Sequence, residues 1–305
     1  MTGSGEGRSD RLRRYATYAS VSVASTLIAA KLAAYLLTES VSVLSSLIDS
    51  TTDLMASIVT LLGVRHALRP ADANHRFGHG KAEALAALAQ AAFIAGSAVL
   101  LCVEAVRRLI YPEPIGEGTV GVAVMLLSIV LTAGLITFQR HVQAATGSVA
   151  IGADRLHYSG DLLMNGAVIL AILLTGLTGI AAIDPLFGVA IAAFLLNGAR
   201  GVARQALDVL MDRELGEEER ARIADLVTAE PGVRGMHDLR TRNAGTGLFI
   251  ELHLELDGRM TLTAAHDIAD RVERRLSAAF DGAEVLVHQE PAGLADERLD
   301  NRISG

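Results

Sequence analysis

The chain has 305 residues, of which 51% are hydrophobic and none is tryptophan, and its formal net charge is −7. The acidic balance argues against nucleic acid as a partner, because phosphate binding needs a concentrated basic surface. The single cysteine, Cys102, excludes an intramolecular disulfide and a cysteine-based zinc site, and it is expected to pack as a small hydrophobic residue.

The first residues, MTGSGEGRSDRLRR, lack an apolar segment followed by a cleavage site, so no removable signal peptide is expected. Beyond them, apolar segments recur that reach the roughly 20 residues a membrane-spanning helix needs. The six segments are 15–37, 41–66, 82–109, 118–140, 149–177 and 183–204. The first, second and fifth are rich in small residues, which allow close approach of helices in lipid, and they are predicted to lie inside a bundle.

Basic residues indicate how the predicted bundle is oriented. If the spans alternate in direction, most arginines and lysines near their ends fall on one side. These residues are Arg8, Arg11, Arg13, Arg14, Arg65, Arg69, Arg76, Lys81, Arg140, Arg200 and Arg204. The opposite side carries Arg107 and Arg108. Since cytoplasmic loops hold the excess of basic residues, both termini are predicted to be cytoplasmic.

After Asp212 the sequence changes to that of a charged globular domain. Residues 216–230 and 263–280 have helical patterns, whereas 235–243, 248–256 and 284–289 alternate like strands. This order predicts a small α+β domain. The predicted divisions are a cytoplasmic N-terminal tail 1–14, a transmembrane domain 15–212, the α+β domain 213–291 and a flexible C-terminal tail 292–305.

Four polar residues inside two predicted spans carry the strongest functional signal. Asp49 and Asp53 lie in the second span and His157 and Asp161 in the fifth, each pair spaced so that both side chains share one helix face. Ionisable residues within a membrane usually face a cavity or a transport path. Three carboxylates and one imidazole can surround a Zn2+-sized ion. Polar contacts between helices, or a proton relay without metal, are the alternatives.

Two weaker clusters lie outside the spans. Asp72, His75 and His79 in the 67–81 loop can bind one metal ion, although a solvated polar loop explains the same spacing. The α+β domain carries a second set on its strands and its second helix, with ordinary surface residues as the alternative. That set is His237, His253, His266, His288 and Glu290.

Other polar residues near the span ends are not predicted to bind metal. His66 and His141 are expected to extend towards the interface, and Asp154 to pair with Arg155 or with lipid head groups.

Several segments resemble the cation diffusion facilitator family. They are SLIDSTTDL, ADANHRFGHGKAEALAAL, LHYSGDLLMNG, HDLRTR and VLVHQEP. The resemblance covers nearly the whole chain, and it implies six spans followed by a ferredoxin-like cytoplasmic domain in a homodimer in a bacterial inner membrane.

The resemblance also implies roles for individual residues. Asp49, Asp53, His157 and Asp161 would form the transport site, and Asp72, His75 and His79 a loop site. His237, His253, His288 and Glu290 would form a two-metal site, with His266 and Gln289 as outer members, and Glu290 replaces the family's more common aspartate. Lys81 would pair with an acid after the sixth span, here Asp212.

The sequence therefore predicts a transporter, not an enzyme, that exports a divalent ion in exchange for protons. Zn2+ is the preferred cargo, and Cd2+ and Fe2+ also suit one imidazole among carboxylates. Zn2+ is further expected to hold the C-terminal domain as a structural or regulatory ion. The alternatives are Fe2+ or Mn2+ as the main cargo and a metal-binding scaffold without transport. A membrane metallohydrolase is disfavoured because the HExxH motif is absent.

Overall fold

The computed structural model describes residues 3–39, 41–111, 119–180, 182–245, 247–280, 283–294 and 299–300. It divides into two compact units, Met1–Leu207 and Asp208–Gly305. The first unit contains α1 (Gly3–Thr38), α2 (Val41–Ala67), α3 (Lys81–Ile110), α4 (Thr119–Thr146), α5 (Val149–Thr178) and most of α6 (Ile183–Leu210). The second contains α7 (Glu217–Thr228), β1 (Gly235–Asn243), β2 (Leu248–Leu256), α8 (Leu262–Ala279) and β3 (Ala283–Pro291).

Six helices among the described residues are long and apolar enough to cross a membrane, as the sequence predicts. Large apolar side chains such as Leu37, Val103, Val130 and Leu177 are exposed on their outer faces. An apolar surface of this extent suits contact with lipid. Helix α1 begins at Gly3, so the segment assigned to an N-terminal tail is largely helical and continuous with the first span.

Helix α5 packs against α1, α2, α3 and α4. The Ser148 hydroxyl caps its start by accepting a hydrogen bond from the Ile151 N–H, and Gly179 ends it in the left-handed region with φ 74°. Small residues bring neighbouring helices close: a Cβ at Gly160 would lie 2.8 Å from the Leu195 side chain of α6. The small residues of α5 therefore allow the close helix packing that the sequence predicts.

The two ends of the bundle differ in packing. We call the end at residues 67–81 the loop end, and the end where α3 stops and α2 starts the far end. At the loop end, Asp154 is buried and accepts hydrogen bonds from the Ser20 hydroxyl (2.6 Å) and the Gln139 amide (2.7 Å). The expected pairing of Asp154 with Arg155 or lipid is therefore wrong, because α1 and α4 supply its partners. The Ser57 and Tyr158 hydroxyls, 2.7 Å apart, join α2 to α5 nearby.

The C-terminal unit is a three-stranded sheet in the order β1-β2-β3, covered by α7 and α8. Strand β2 pairs antiparallel with β1 and parallel with β3. The predicted bounds of β1 and β2 agree with the structure, and α+β is the observed class. Alternate residues of β2, including Ile250, Leu252 and Leu254, are buried in a core shared with Val272 and Leu276 of α8.

The predicted flexible tail, 292–305, lies mainly outside the described residues. Within it, the Asp300 N–H donates to the Asp238 carboxylate (3.0 Å), and the Asp238 N–H donates back to the Asp300 carboxylate (2.9 Å). Partial burial raises the pKa of Asp238, but hydrogen bonds from the Leu299 and Asp300 backbones outweigh it, and the pKa lies below its ordinary value. The carboxylate therefore stays ionised in this contact.

A substitution at Gly63, where α2 contacts α3, tests the packing of the bundle. A Cβ at Gly63 would collide with the Ala86 Cβ, so Gly63→Ala should separate the helices and cost about 1–3 kcal/mol. The Gly63→Ala/Ala86→Gly double variant should recover stability, and Gly134→Ala, which meets open space, is the control. Thermal unfolding of the purified protein measures the effect; a Gly63→Ala variant as stable as the control would contradict this packing.

Candidate metal centres

Three of the four predicted transport-site residues meet between α2 and α5. The His157 Nε2 lies 3.1 Å from Asp53 Oδ1 and 3.9 Å from Asp161 Oδ2. Ligand atoms of these three residues all lie within 4.8 Å of one another, which is close enough to share one ion. The Phe93 ring packs edge-on against the His157 imidazole, with centroids 5.9 Å apart. Side chains from α2 and α5 thus come together at one point.

Asp49 takes a different position from the other three predicted ligands. It lines the same cavity, but its carboxylate is not part of the close cluster. It lies one helical turn from Asp53 towards the far end, and it interacts electrostatically with Asp53 and with Lys31. The cluster thus supplies three donors, and Asp49 is the next carboxylate along the cavity.

A cavity of about 670 Å³ surrounds these side chains. Its walls reach from the Asp53–His157–Asp161 cluster to Ser46, Glu104 and Ser128. Ser46 and Ser128 lie near the starts of α2 and α4, and Glu104 lies near the end of α3, so the cavity extends to the far end. In the opposite direction the buried residues of the loop end lie above the cluster. The lining of the cavity thus runs from the cluster towards the far end.

The loop cluster is organised around Asp72. Its Oδ1 accepts hydrogen bonds from the backbone N–H groups of Asn74 (2.9 Å) and His75 (2.8 Å), and its Oδ2 lies 3.3 Å from the His79 Nε2. The backbone hydrogen bond from His75, followed by that from Asn74, lowers the pKa of Asp72 below its ordinary value. His79 is buried, and its Nδ1 has no hydrogen-bond partner among the described residues. The donor set fits a bound cation.

His66 was expected to extend towards the interface, but it lies against this cluster. Its ring packs edge-on against that of His79, with centroids 4.8 Å apart, while the His75 and His79 rings are 4.6 Å apart. The end of α2 therefore contacts the loop cluster.

The C-terminal domain aligns three histidines across its sheet. The strand register places His237 opposite His253 and His253 opposite His288. Ring centroids are 5.1 Å apart in the first pair and 4.6 Å apart in the second. Alternation alone places each histidine on a strand, but only the pairing between strands brings them into one row.

Glu290 joins this row through both carboxylate oxygens. Its Oε1 lies 2.9 Å from the His237 Nε2, and its Oε2 lies 3.2 Å from the His253 Nδ1. The His237 Nε2 is buried without a hydrogen bond to a described residue despite that short distance, an arrangement that fits two donors facing a shared cation. The longer glutamate arm therefore reaches two histidines at once.

Two acidic neighbours of this row escaped the sequence analysis. Glu255 Oε1 lies 3.0 Å from the His237 Nδ1, and Asp238 groups with His237 and His253. Glu255 is two residues after His253 on β2, so it shares the face of His253, and this spacing was a usable signal. Asp238 directly follows His237, where β1 has an irregular register, and alternation would place it on the other face.

Two further predicted assignments have less support within one chain. His266 is exposed on α8 and lies 3.7 Å from Asp270 of its own helix, outside the close clusters of described residues. Asp212 Oδ2 lies 3.8 Å from the Arg242 guanidinium. The pairing of Lys81 with Asp212 stays a prediction.

Comparison with known proteins identifies the family. Residues 17–211 match the cation efflux transmembrane domain, and residues 215–292 match the cytoplasmic domain of cation efflux proteins. The chain belongs to the cation efflux family. The resemblance to the cation diffusion facilitators is confirmed, and the protein is a multi-pass membrane cation efflux transporter, not an enzyme.

Relatives match along most of the chain. The cation-efflux pump FieF of Shewanella oneidensis is 48% identical over 278 residues, which cover 91% of this chain and 94% of the relative. That of Klebsiella pneumoniae is 45% identical over 284 residues, which cover 93% and 94%. The solved metal-bound C-terminal domain of the CzcD transporter from Thermotoga maritima is 30% identical and covers 27% of this chain and 100% of its own, with a TM-score of 0.24.

The row of histidines predicts how metal binding responds to substitution. His253→Ala should weaken Zn2+ binding by the C-terminal domain about tenfold or more, because it removes the central histidine of the row. His266→Ala, on the same domain, should cause a smaller loss. Zinc titration of the full-length protein measures both, and equal losses would contradict the arrangement seen within one chain.

Proposed function

We propose that this transporter exports Zn2+ from the cytoplasm across a bacterial inner membrane in exchange for protons. The main support for the proposal is the Asp53–His157–Asp161 cluster, which lines a cavity between the spans. Two carboxylates and an imidazole within 4.8 Å of one another match the oxygen and nitrogen donors of zinc sites, with Asp49 available as a fourth ligand.

The donor set favours some divalent ions over others. One imidazole among carboxylates suits Zn2+ and Cd2+ and also accepts Fe2+, whereas oxygen-only sites suit Mn2+. Zn2+ is therefore the first choice of cargo. Iron remains the alternative that this donor set allows, and a scan of several metals separates the two.

The hydrogen bond between two predicted ligands supports proton exchange. A 3.1 Å hydrogen bond between His157 Nε2 and Asp53 Oδ1 requires a proton between the two atoms. An ion that uses both atoms as ligands must displace that proton, since metal ligands are deprotonated. Metal and proton therefore compete for the same atoms, which is the chemical basis of antiport.

The direction of the cavity supports alternating access. Basic residues cluster at the loop end, which makes this end cytoplasmic, so the cavity faces the outside. In this arrangement an ion leaves outward and protons enter from the same side. Opening the loop end and closing the far end would then present the protonated site to the cytoplasm.

The C-terminal domain is proposed to join two copies of the chain and to respond to metal. Its row of histidines with Glu290 can hold Zn2+, and neutralising these clustered groups would favour one arrangement of the domain. A constitutive dimer with a permanently bound ion is the alternative, and chelator-dependent dissociation of the purified dimer would favour the sensor.

Transport by purified protein in liposomes tests the cargo and the site. Asp53→Ala should abolish Zn2+ uptake, because it removes a ligand and the proton acceptor of His157. Thr51→Ala is the matched control, since the Thr51 hydroxyl bonds to its own helix at Leu47 and the residue does not line the cavity. Uptake by Asp53→Ala equal to that of the control would refute the site, and uptake of Fe2+ without Zn2+ would change the ion.

A further inference from the structure

Lys31 places a positive charge inside the transport cavity. Its ammonium extends from α1 to α2, where it donates to the Ser50 hydroxyl (2.6 Å) and the Ser46 carbonyl (3.1 Å). Both serines line the cavity together with Asp49 and Asp53. Ser46 and Ser50 lie on the far-end side of Asp53, so the ammonium sits beside the path between the Asp53–His157–Asp161 cluster and the far end.

Lys31 lies among acidic side chains that line the cavity. An ammonium within a membrane is costly unless it is hydrated or paired, and such residues usually face a functional cavity. Lys31 interacts electrostatically with Asp53, Asp161 and Asp49. Among the described residues that line the cavity, it is the only lysine or arginine. The fourth acidic residue there, Glu104, is engaged by Arg107 and Arg108.

The balance of these charges matches the charge of the cargo. Three aspartates and one ammonium leave a net charge of −2, which a single divalent ion neutralises. Without Lys31 the three aspartates that line the cavity would carry −3, one negative charge more than a divalent ion neutralises. A site with that excess would bind its ion tightly and release it slowly.

We propose that Lys31 is a tethered counter-cation of the transport site, which lowers the affinity of the aspartates for a divalent ion and so speeds release into the cavity. The inference rests on the proposed function and adds a residue that tunes the transport reaction without binding the ion. Its ammonium competes with the ion for the same negative charge, and it remains attached to α1 when the ion leaves.

Zinc titration of the full-length protein tests the inference. The transport-site component is defined as the binding that Asp53→Ala abolishes. Lys31→Gln keeps an N–H donor for Ser46 and Ser50 but removes the charge, whereas Lys31→Arg keeps the charge. Lys31→Gln should bind Zn2+ at this component about tenfold or more tightly, and Lys31→Arg should remain close to wild type. In liposomes, Lys31→Gln should saturate at lower Zn2+ and reach a lower maximal rate.

Two results would overturn the inference. The first is unchanged affinity in Lys31→Gln while the Asp53-dependent component is intact. The second is equal weakening in the Gln and Arg variants, which would assign Lys31 a packing role. If Lys31→Gln does not fold, Lys31→Met supplies a second neutral side chain under the same criteria. Wild-type protein without any Asp53-dependent Zn2+ binding would instead refute the proposed function, and this inference with it.

Discussion

The contact between His157 of α5 and Asp53 of α2 is the constraint on which the rest of the transmembrane unit depends. The two atoms lie 3.1 Å apart between helices whose outer faces are apolar. Charged groups at this depth are stable only if they are paired, hydrated or bound to an ion. The small residues of α5, the cavity on one side and the buried loop end on the other surround these groups. The cation efflux activity of the family depends on the same condition, because an ion crossing lipid needs ligands that replace its water.

The loop end contains a buried polar network that joins α1, α4 and α5. Asp154 joins Ser20 and Gln139, but its Oδ1 and the Gln139 Oε1 have no hydrogen-bond partner among the described residues. A partly satisfied buried network is less stable than a complete one. A network of this kind is compatible with the alternating access proposed for this transporter.

The sequence was sufficient for much of the architecture because its signals are local. Six apolar segments, the alternation of β1 and β2, and the i, i+4 pairs of α2 and α5 each depend on neighbours within a few residues. Contacts between distant segments could not be read in this way. Asp154 was assigned to the interface because its partners come from α1 and α4, and Lys31 went unnoticed because its serine partners lie on another helix. The separation of Asp49 from the cluster depends on how α2 and α5 cross, and the row of three histidines on strand register.

In the proposed mechanism, a divalent ion and protons compete for the same atoms of Asp53, His157 and Asp161. Proton release on adding Zn2+ to the weakly buffered, purified protein measures this competition directly. We expect wild-type protein to release protons as Zn2+ binds, and the part of that release that belongs to the transport site to disappear in Asp53→Ala. Zinc binding at the transport site without proton release would contradict the account.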